Sequence, residues 1–336
     1  MTEPLLRVTD LQVEFPLARG ALRAVDGASF EVRPGEALGI VGESGSGKTM
    51  TLRALIGLLP RAARITAGTI ELDGVDVTRA SADRLRKLRG RTVSMVFQEP
   101  MTALNPVMRV GDQIAEAPLA RLGYGRRKAR ERALALMQLV GIPDSARRAN
   151  AYPHELSGGM RQRVMIAIAL SADPKLILCD EPTTALDVTI QDQILKLLAS
   201  LREQLGVSLV FVSHDLAVIA QTCLRVAVMY AGQIVETGTV DAVFREPRHP
   251  YTLGLLRAVP DFDLVRSQLA SIPGSPPDLV DPPKGCRFHP RCAFVHEDCT
   301  VAPIPLIQVG GGREARCLYH EACAADARRE PVVAGV

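Results

Sequence analysis

Gly42-Glu43-Ser44-Gly45-Ser46-Gly47-Lys48-Thr49 follows the apolar run Ala37-Leu38-Gly39-Ile40-Val41 and precedes Met50-Thr51-Leu52-Arg53-Ala54-Leu55-Ile56. The run reads as a buried strand and the later stretch as the start of a helix. A glycine-rich turn ending in Lys-Thr between strand and helix is the pattern of a phosphate-binding loop. Glycine lets backbone N–H groups turn inward around a polyphosphate where a Cβ would block the approach. The helix N-terminus adds partial positive charge at the same place. Lys48 is placed to reach the β- and γ-phosphates, and the Thr49 hydroxyl to ligate Mg²⁺. The expectation is a nucleotide site built from Gly42, Ser44, Gly45, Ser46, Gly47, Lys48, Thr49 and Met50.

Around that loop the chain has room for about two domains in its 336 residues. With 47% apolar and 23% charged residues it has the composition of an ordinary globular protein. A net charge of +3 is too small to argue for nucleic acid, and aromatic residues, at 4%, are too few for a base-stacking surface. No apolar run approaches the ~20 residues that span a bilayer, and no signal peptide opens the chain. A cytoplasmic protein that meets a membrane through partners is expected, its seven cysteines kept as thiols.

Upstream of the loop, residues 5–14 and 24–33 alternate apolar and polar side chains, as two strands joined near Leu17-Ala18-Arg19-Gly20 would. Phe15 lies between them, either to stack on adenine or to fill the core. Residues 69–78 read as a hairpin turning at Asp73-Gly74, and Ser81 to Arg89 as a short basic helix. A strand over 92–97 ends at Gln98, turn chemistry fills Glu99 to Pro106, and 110–142 is helical in pattern. Leu156-Ser157-Gly158-Gly159-Met160-Arg161-Gln162-Arg163 then opens a helix as a second anion-binding cluster without a lysine. The apolar strand Lys175 to Cys179 ends in Asp180-Glu181, where Asp180 can hold a metal's water shell and Glu181 can orient or deprotonate water. Thr184-Ala185-Leu186-Asp187, a helix over about 190–205 and a strand over 207–212 follow, ending in Ser213-His214-Asp215. His214 is either structural or a γ-phosphate ligand.

In this order, GESGSGKT, the Gln98 loop, LSGGMRQR, LILCDE, TALD and SHD resemble the nucleotide-binding domain of an ABC transporter, over residues 1 to about 245. The resemblance implies an α/β P-loop NTPase of ABC-ATPase type, with an antiparallel β subdomain and a helical signature subdomain at about 99–165. It implies ATP and Mg²⁺ as ligands, Thr49, Gln98 and Asp180 at the metal, and Glu181, His214 and Gln98 in hydrolysis. It also implies a sandwich dimer in which Ser157, Gly158 and Gly159 of one subunit face the γ-phosphate held by Lys48 of the other, with Asp187 communicating across it. Gln98 would relay nucleotide state to a membrane subunit. Met160, where many such proteins have glutamine, and Phe15, where tyrosine is common, depart from the pattern.

FQEPMTALNP and, after the domain, Arg248-His249-Pro250-Tyr251-Thr252-Leu253-Gly254-Leu255-Leu256 resemble the dipeptide/oligopeptide/nickel importer ATPases. That resemblance implies an ATPase subunit at the cytoplasmic face of the inner membrane, working with a second ATPase chain (related or identical), two permeases and an extracytoplasmic peptide-binding protein. Nickel or glutathione import by the same family is the alternative, and a soluble ABC ATPase acting on ribosomes or DNA a more distant one.

Residues 246–336 form a small cysteine-rich C-terminal extension in this reading. After the Pro/Gly-rich linker 272–285 come Cys286, Cys292, Cys299 and Cys317 at spacings C-x5-C-x6-C-x17-C, with Cys323 beyond. The absence of a C-x-x-C pair makes a zinc ribbon a poor match. Four thiolates on a loop-rich segment suit an iron–sulfur cluster, and the peptide-importer family carries a similar pattern, some members with [4Fe-4S]; zinc or no metal are the alternatives. Cys323, His289, His296 and His320 are substitute ligands, a redox-sensing role is compatible, and Cys179 and Cys223 read as inert core.

Overall fold

The computed structural model describes residues 3–184, 186–259 and 271–329. Ala185, and residues 260–270 and 330–336 of the expected extension, lie outside the described residues. Two compact units interleave along the chain: Met1–Leu5, Val32–Glu36 and Leu72–Phe211 form one, and Leu6–Glu31, Ala37–Glu71 and Val212–Val336 the other.

The unit that carries the phosphate loop lays five strands side by side, in the order Ile307–Gln308, Glu314–Ala315, Gln233–Thr239, Arg225–Tyr230, Ala37–Val41. Ala37–Val41 runs parallel to Arg225–Tyr230, with Leu38 opposite Arg225 and Val41 opposite Val228. All its residues are buried, which is why the sequence there is an unbroken apolar run and not an alternation. Leu6–Leu17 and Gly20–Val32 are the expected strand pair, longer than the sequence pattern indicated, and Arg64–Leu72 lies on the other side of Leu6–Leu17. The chain leaves that third strand through Asp73 and Gly74, at φ 50° and 72°, as a tight primed turn requires.

In the other unit Val93–Val96 and Leu176–Asp180 pair in parallel, Val93 opposite Leu176. The helical pattern over 110–142 resolves into two helices, Val110–Arg121 and Arg126–Leu139, because Gly123 adopts φ 66° just beyond the first and ends it. Both pack on the helix Gly158–Leu170. The stretch Glu99 to Pro106 is not only turns: Pro100 starts a short helix, Pro100–Ala103. Behind it the buried Gln113 amide receives Asn105 N–H at 3.0 Å and donates to the carbonyls of Asn105 and Met108 at 2.9 and 2.8 Å. That side chain supplies the hydrogen bonds that an irregular segment cannot make to itself.

The C-terminal stretch holds more regular structure than its cysteine spacing implied. Glu314–Ala315 extends the edge of Gln233–Thr239 antiparallel, and His320–Arg329 is a helix. Its Cys323 is fully buried in a small core with Leu253 and Ala327, against which Phe294 packs. The helix Pro250–Arg257 starts with His249, whose Nδ1 accepts the Tyr251 N–H at 3.1 Å. Glu236, wholly buried in the strand beneath, accepts the N–H groups of Arg248 at 2.8 Å and His249 at 3.0 Å.

Burial pushes the Glu236 carboxyl up to about 7 from its usual 4.5, and holds His249 down at about 3. A carboxyl raised in the folded state contributes stability that is complete below about pH 4.5 and lost as pH rises through 7. His249 works in the opposite sense, its contribution complete above its ordinary 6.5 and lost as pH falls toward 3. Urea unfolding of wild type and Glu236→Gln between pH 4.5 and 8 therefore separates the two. The wild type should lose about 3 kcal/mol relative to the variant across that range, and parallel curves would remove the buried carboxyl as the cause.

Candidate functional site

The phosphate loop forms as its pattern required. The helix Lys48–Leu55 begins at the lysine itself, with Gly47 at φ 107° before it. A Cβ on Gly47 would run into the Ala24 carbonyl and one on Gly42 into the Met229 carbonyl, so neither position tolerates a side chain. Ser46 and Lys48 are buried, whereas Ser44 and Gly45 are exposed and Thr49 and Met50 half-buried. The Lys48 ammonium donates to the carbonyls of Gly42 and Glu43 at 2.7 and 2.9 Å, inside the curl of the loop. Phe15 is half-buried near the end of its strand, so it is not a sealed core residue. His214 is exposed just past the strand Ser208–Ser213, with the Ser213 hydroxyl accepting the Asp215 N–H at 2.9 Å.

In the other unit, Asp180 ends its strand 3% exposed and Glu181 follows with φ 45°. That left-handed backbone is strained for a residue with a Cβ, and such strain concentrates at functional sites. The Glu181 Oε2 accepts from the Thr184 hydroxyl at 2.9 Å and lies 3.4 Å from the Gln98 Nε2, which brings two of the expected catalytic residues together. Asp187 caps the helix Val188–Leu205 by accepting the Ile190 N–H at 2.9 Å. Ser157 caps Gly158–Leu170 and, with Gly158, is exposed at the helix N-terminus. Gly159 cannot carry a Cβ, which would sit 2.7 Å from Ile190 Cγ2.

Cys286, Cys292, Cys299 and Cys317 all line one cavity, together with His289, Phe288, Phe294 and Tyr319. Burial pushes the Cys286 thiol up, Cys292 up to about 11 and Cys317 up to about 12, and the neighbouring cysteines add to each shift. His296 instead stacks on Tyr319 at 3.9 Å. Cys179 and Cys223 are buried, as core residues.

Two contacts at the phosphate loop escaped the sequence reading. Tyr251 sends its hydroxyl to the Glu43 N–H at 2.7 Å, and Arg291 forms a two-pronged ion pair with the Glu43 carboxylate. The only sequence signal was the His-Pro-Tyr-Thr stretch, which carries no indication of its partner.

The ABC transporter family matches residues 25–184, and the family of the oligopeptide/dipeptide transporter C-terminal region matches residues 235–299. The chain is 48% identical over 315 residues to the dipeptide transport ATP-binding protein DppD of Escherichia coli (strain K12), covering 94% of this chain and 96% of that one. To the oligopeptide transport ATP-binding protein OppD of Bacillus subtilis (strain 168) it is 49% identical over 292 residues, 86% and 82% of the two chains. Among solved structures, the ATP-binding cassette MJ0796, as a post-hydrolysis dimer bound to ADP and Pi, is similar with a TM-score of 0.63 and 28% identity, over 70% of this chain and 98% of that one.

Proposed function

This chain belongs to the ATP-binding subunits of dipeptide and oligopeptide ABC transporters, and from that premise we propose how its residues power peptide import. It is an ATPase, and its work implies permease partners and pairing with a second ATPase. The observation that carries the reading is the buried Lys48 at the start of a helix, reached through a turn in which neither Gly42 nor Gly47 has room for a side chain.

Backbone N–H groups of Gly45, Gly47, Lys48 and Thr49 and the Lys48 ammonium hold the phosphates, and Met50 continues the first helical turn around them. Thr49, Asp180 and Gln98 are the residues that would hold Mg²⁺, which would supply neutralising charge for the phosphates. Glu181 takes the proton of the in-line water, and His214 contacts the γ-phosphate. In the closed pair Ser157, Gly158 and Gly159 of one subunit meet the triphosphate held by the other, which the exposure of Ser157 and Gly158 at a 13-residue helix supports. A diphosphate leaves those donors without their acceptor, so hydrolysis reopens the pair and moves the permeases. Asp187 sits at the start of the helix after the carboxylates, where it can sense the partner. Exposed Met101 and Val107, just past Gln98, offer apolar surface to a permease. No described helix is long and apolar enough to cross a membrane, which fits peripheral attachment at the cytoplasmic face.

Membrane vesicles holding this chain, its second ATPase, two permeases and the binding protein should take up di- or oligopeptides only with ATP inside. Uptake of nickel or glutathione in place of peptides would overturn the substrate, and failure to co-purify with permeases would overturn the transport role.

The cysteine-bearing C-terminal segment would hold a [4Fe-4S] cluster, with Cys286, Cys292, Cys299 and Cys317 as its ligands. Four thiols around one cavity support this reading, since a cluster is touched from several sides. Among the described residues no three His, Cys, Asp or Glu side chains form a group placed to hold a metal ion. Bound there, the cluster supplies iron–thiolate bonds that tie these turns together. Anaerobically purified protein should contain about four iron and four acid-labile sulfide per chain, and Cys286→Ser should lose them. Stoichiometric zinc in colourless protein would reject the cluster.

A further inference from the structure

Arg291 lies in the turn between Cys286 and Cys292, only 7% exposed. Its Nη1 and Nη2 reach the two carboxylate oxygens of Glu43 at 2.8 and 3.1 Å. The fork is itself held: Nε donates to the Pro273 carbonyl at 2.8 Å, Nη2 to the Ile272 carbonyl at 3.3 Å, and Nη1 lies 3.4 Å from the Tyr230 hydroxyl. Glu43 is the second residue of the phosphate loop, and its backbone is pinned as well. Its N–H donates to the Tyr251 hydroxyl, and its carbonyl accepts from Lys48 Nζ at 2.9 Å. Tyr251, Tyr230 and Phe288 pack as one aromatic cluster, with ring centroids 4.5 to 5.5 Å apart, and so set where the Tyr251 hydroxyl stands.

We propose that Arg291 is a positioning residue for ATP binding: by gripping Glu43 it holds the phosphate loop in its phosphate-accepting curl and makes the C-terminal segment part of the nucleotide site. The inference rests on the loop being the ATP site. A glycine-rich loop has much backbone freedom to lose, and a ligand that must order it binds more weakly than one meeting a loop already ordered. Two parallel charge-assisted bonds from a buried, planar guanidinium fix orientation as well as distance, which a lysine ammonium cannot do. The grip touches neither the γ-phosphate nor the attacking water, so it should act on binding and not on the chemical step.

The test compares the purified full chain as wild type, Arg291→Ala, Arg291→Lys, Glu43→Gln and the double variant, using a fluorescent ATP analogue and circular dichroism, with KM and kcat read in the assembled transporter. Arg291→Ala and Glu43→Gln should each weaken nucleotide binding by about tenfold and raise KM while leaving kcat in place. The double variant should be no worse than either single one, and lysine at 291 should restore part of the loss. Wild-type affinity in both single variants, or losses that multiply in the double variant, would overturn the proposal. Should Arg291→Ala fail to fold, Glu43→Gln alone decides, because that side chain is partly exposed. A wild-type chain that bound no ATP would instead sink the nucleotide reading, and this inference with it.

Discussion

Glu181→Gln should leave ATP bound and slow hydrolysis by about a thousandfold, the size expected when a positioned general base is removed. The substitution is nearly isosteric. It keeps an oxygen to accept from the Thr184 hydroxyl, and it asks nothing new of a backbone already at φ 45°. What it removes is the capacity to take a proton. Glutamine also retains the neighbourhood of Gln98, now 3.4 Å from the carboxylate, so the folded surroundings stay in place. Measured on the assembled transporter, nucleotide affinity should match wild type while single-turnover hydrolysis collapses. The trapped triphosphate should also hold two ATPase chains together for longer, which gel filtration in ATP would read. Hydrolysis within about tenfold of wild type would remove Glu181 from the base role.

Lys48→Ala should abolish useful nucleotide affinity, weakening it by about a hundredfold at the worth of charge-assisted bonds to phosphate. Its ammonium is the sole cation contributed by the loop sequence from Gly42 to Met50. It lies buried within hydrogen-bond reach of the Gly42 and Glu43 carbonyls, at the centre of the curl. Alanine leaves those carbonyls without that donor and the phosphates without that charge, so binding and turnover should fall together. The contrast with Glu181→Gln is diagnostic: one variant binds without turning over, the other does neither. Equilibrium binding of a fluorescent ATP analogue distinguishes them, and near-normal affinity in Lys48→Ala would place the nucleotide elsewhere.

Much of the nucleotide machinery was legible along the chain because each piece is local. Strand Ala37–Val41, its glycine turn and the helix starting at Lys48 occupy consecutive residues. Periodicity and glycine placement therefore report their geometry directly. The same holds for Asp180 and Glu181 at a strand end, and for Ser157 capping a helix. Local pattern was weaker where a single residue breaks an element. The helices Val110–Arg121 and Arg126–Leu139 read as one helical stretch because the break at Gly123 rests on a positive φ that became apparent only in the fold.

The chain's order of residues was enough, alone, to specify a phosphate loop, two carboxylates after a strand, a signature-like helix start and four clustered cysteines, since each is a short-range arrangement of backbone and side chain. It could not specify which distant groups steady that loop. Arg291 meets Glu43 across 248 positions, Glu236 anchors the N–H groups of Arg248 and His249 from a neighbouring strand, and Cys323 lies in a core instead of at the cavity of the other four cysteines. Such pairings carry no spacing of their own. They exist because strand order and helix packing bring remote residues within a few ångströms, and only the folded chain decides which ones.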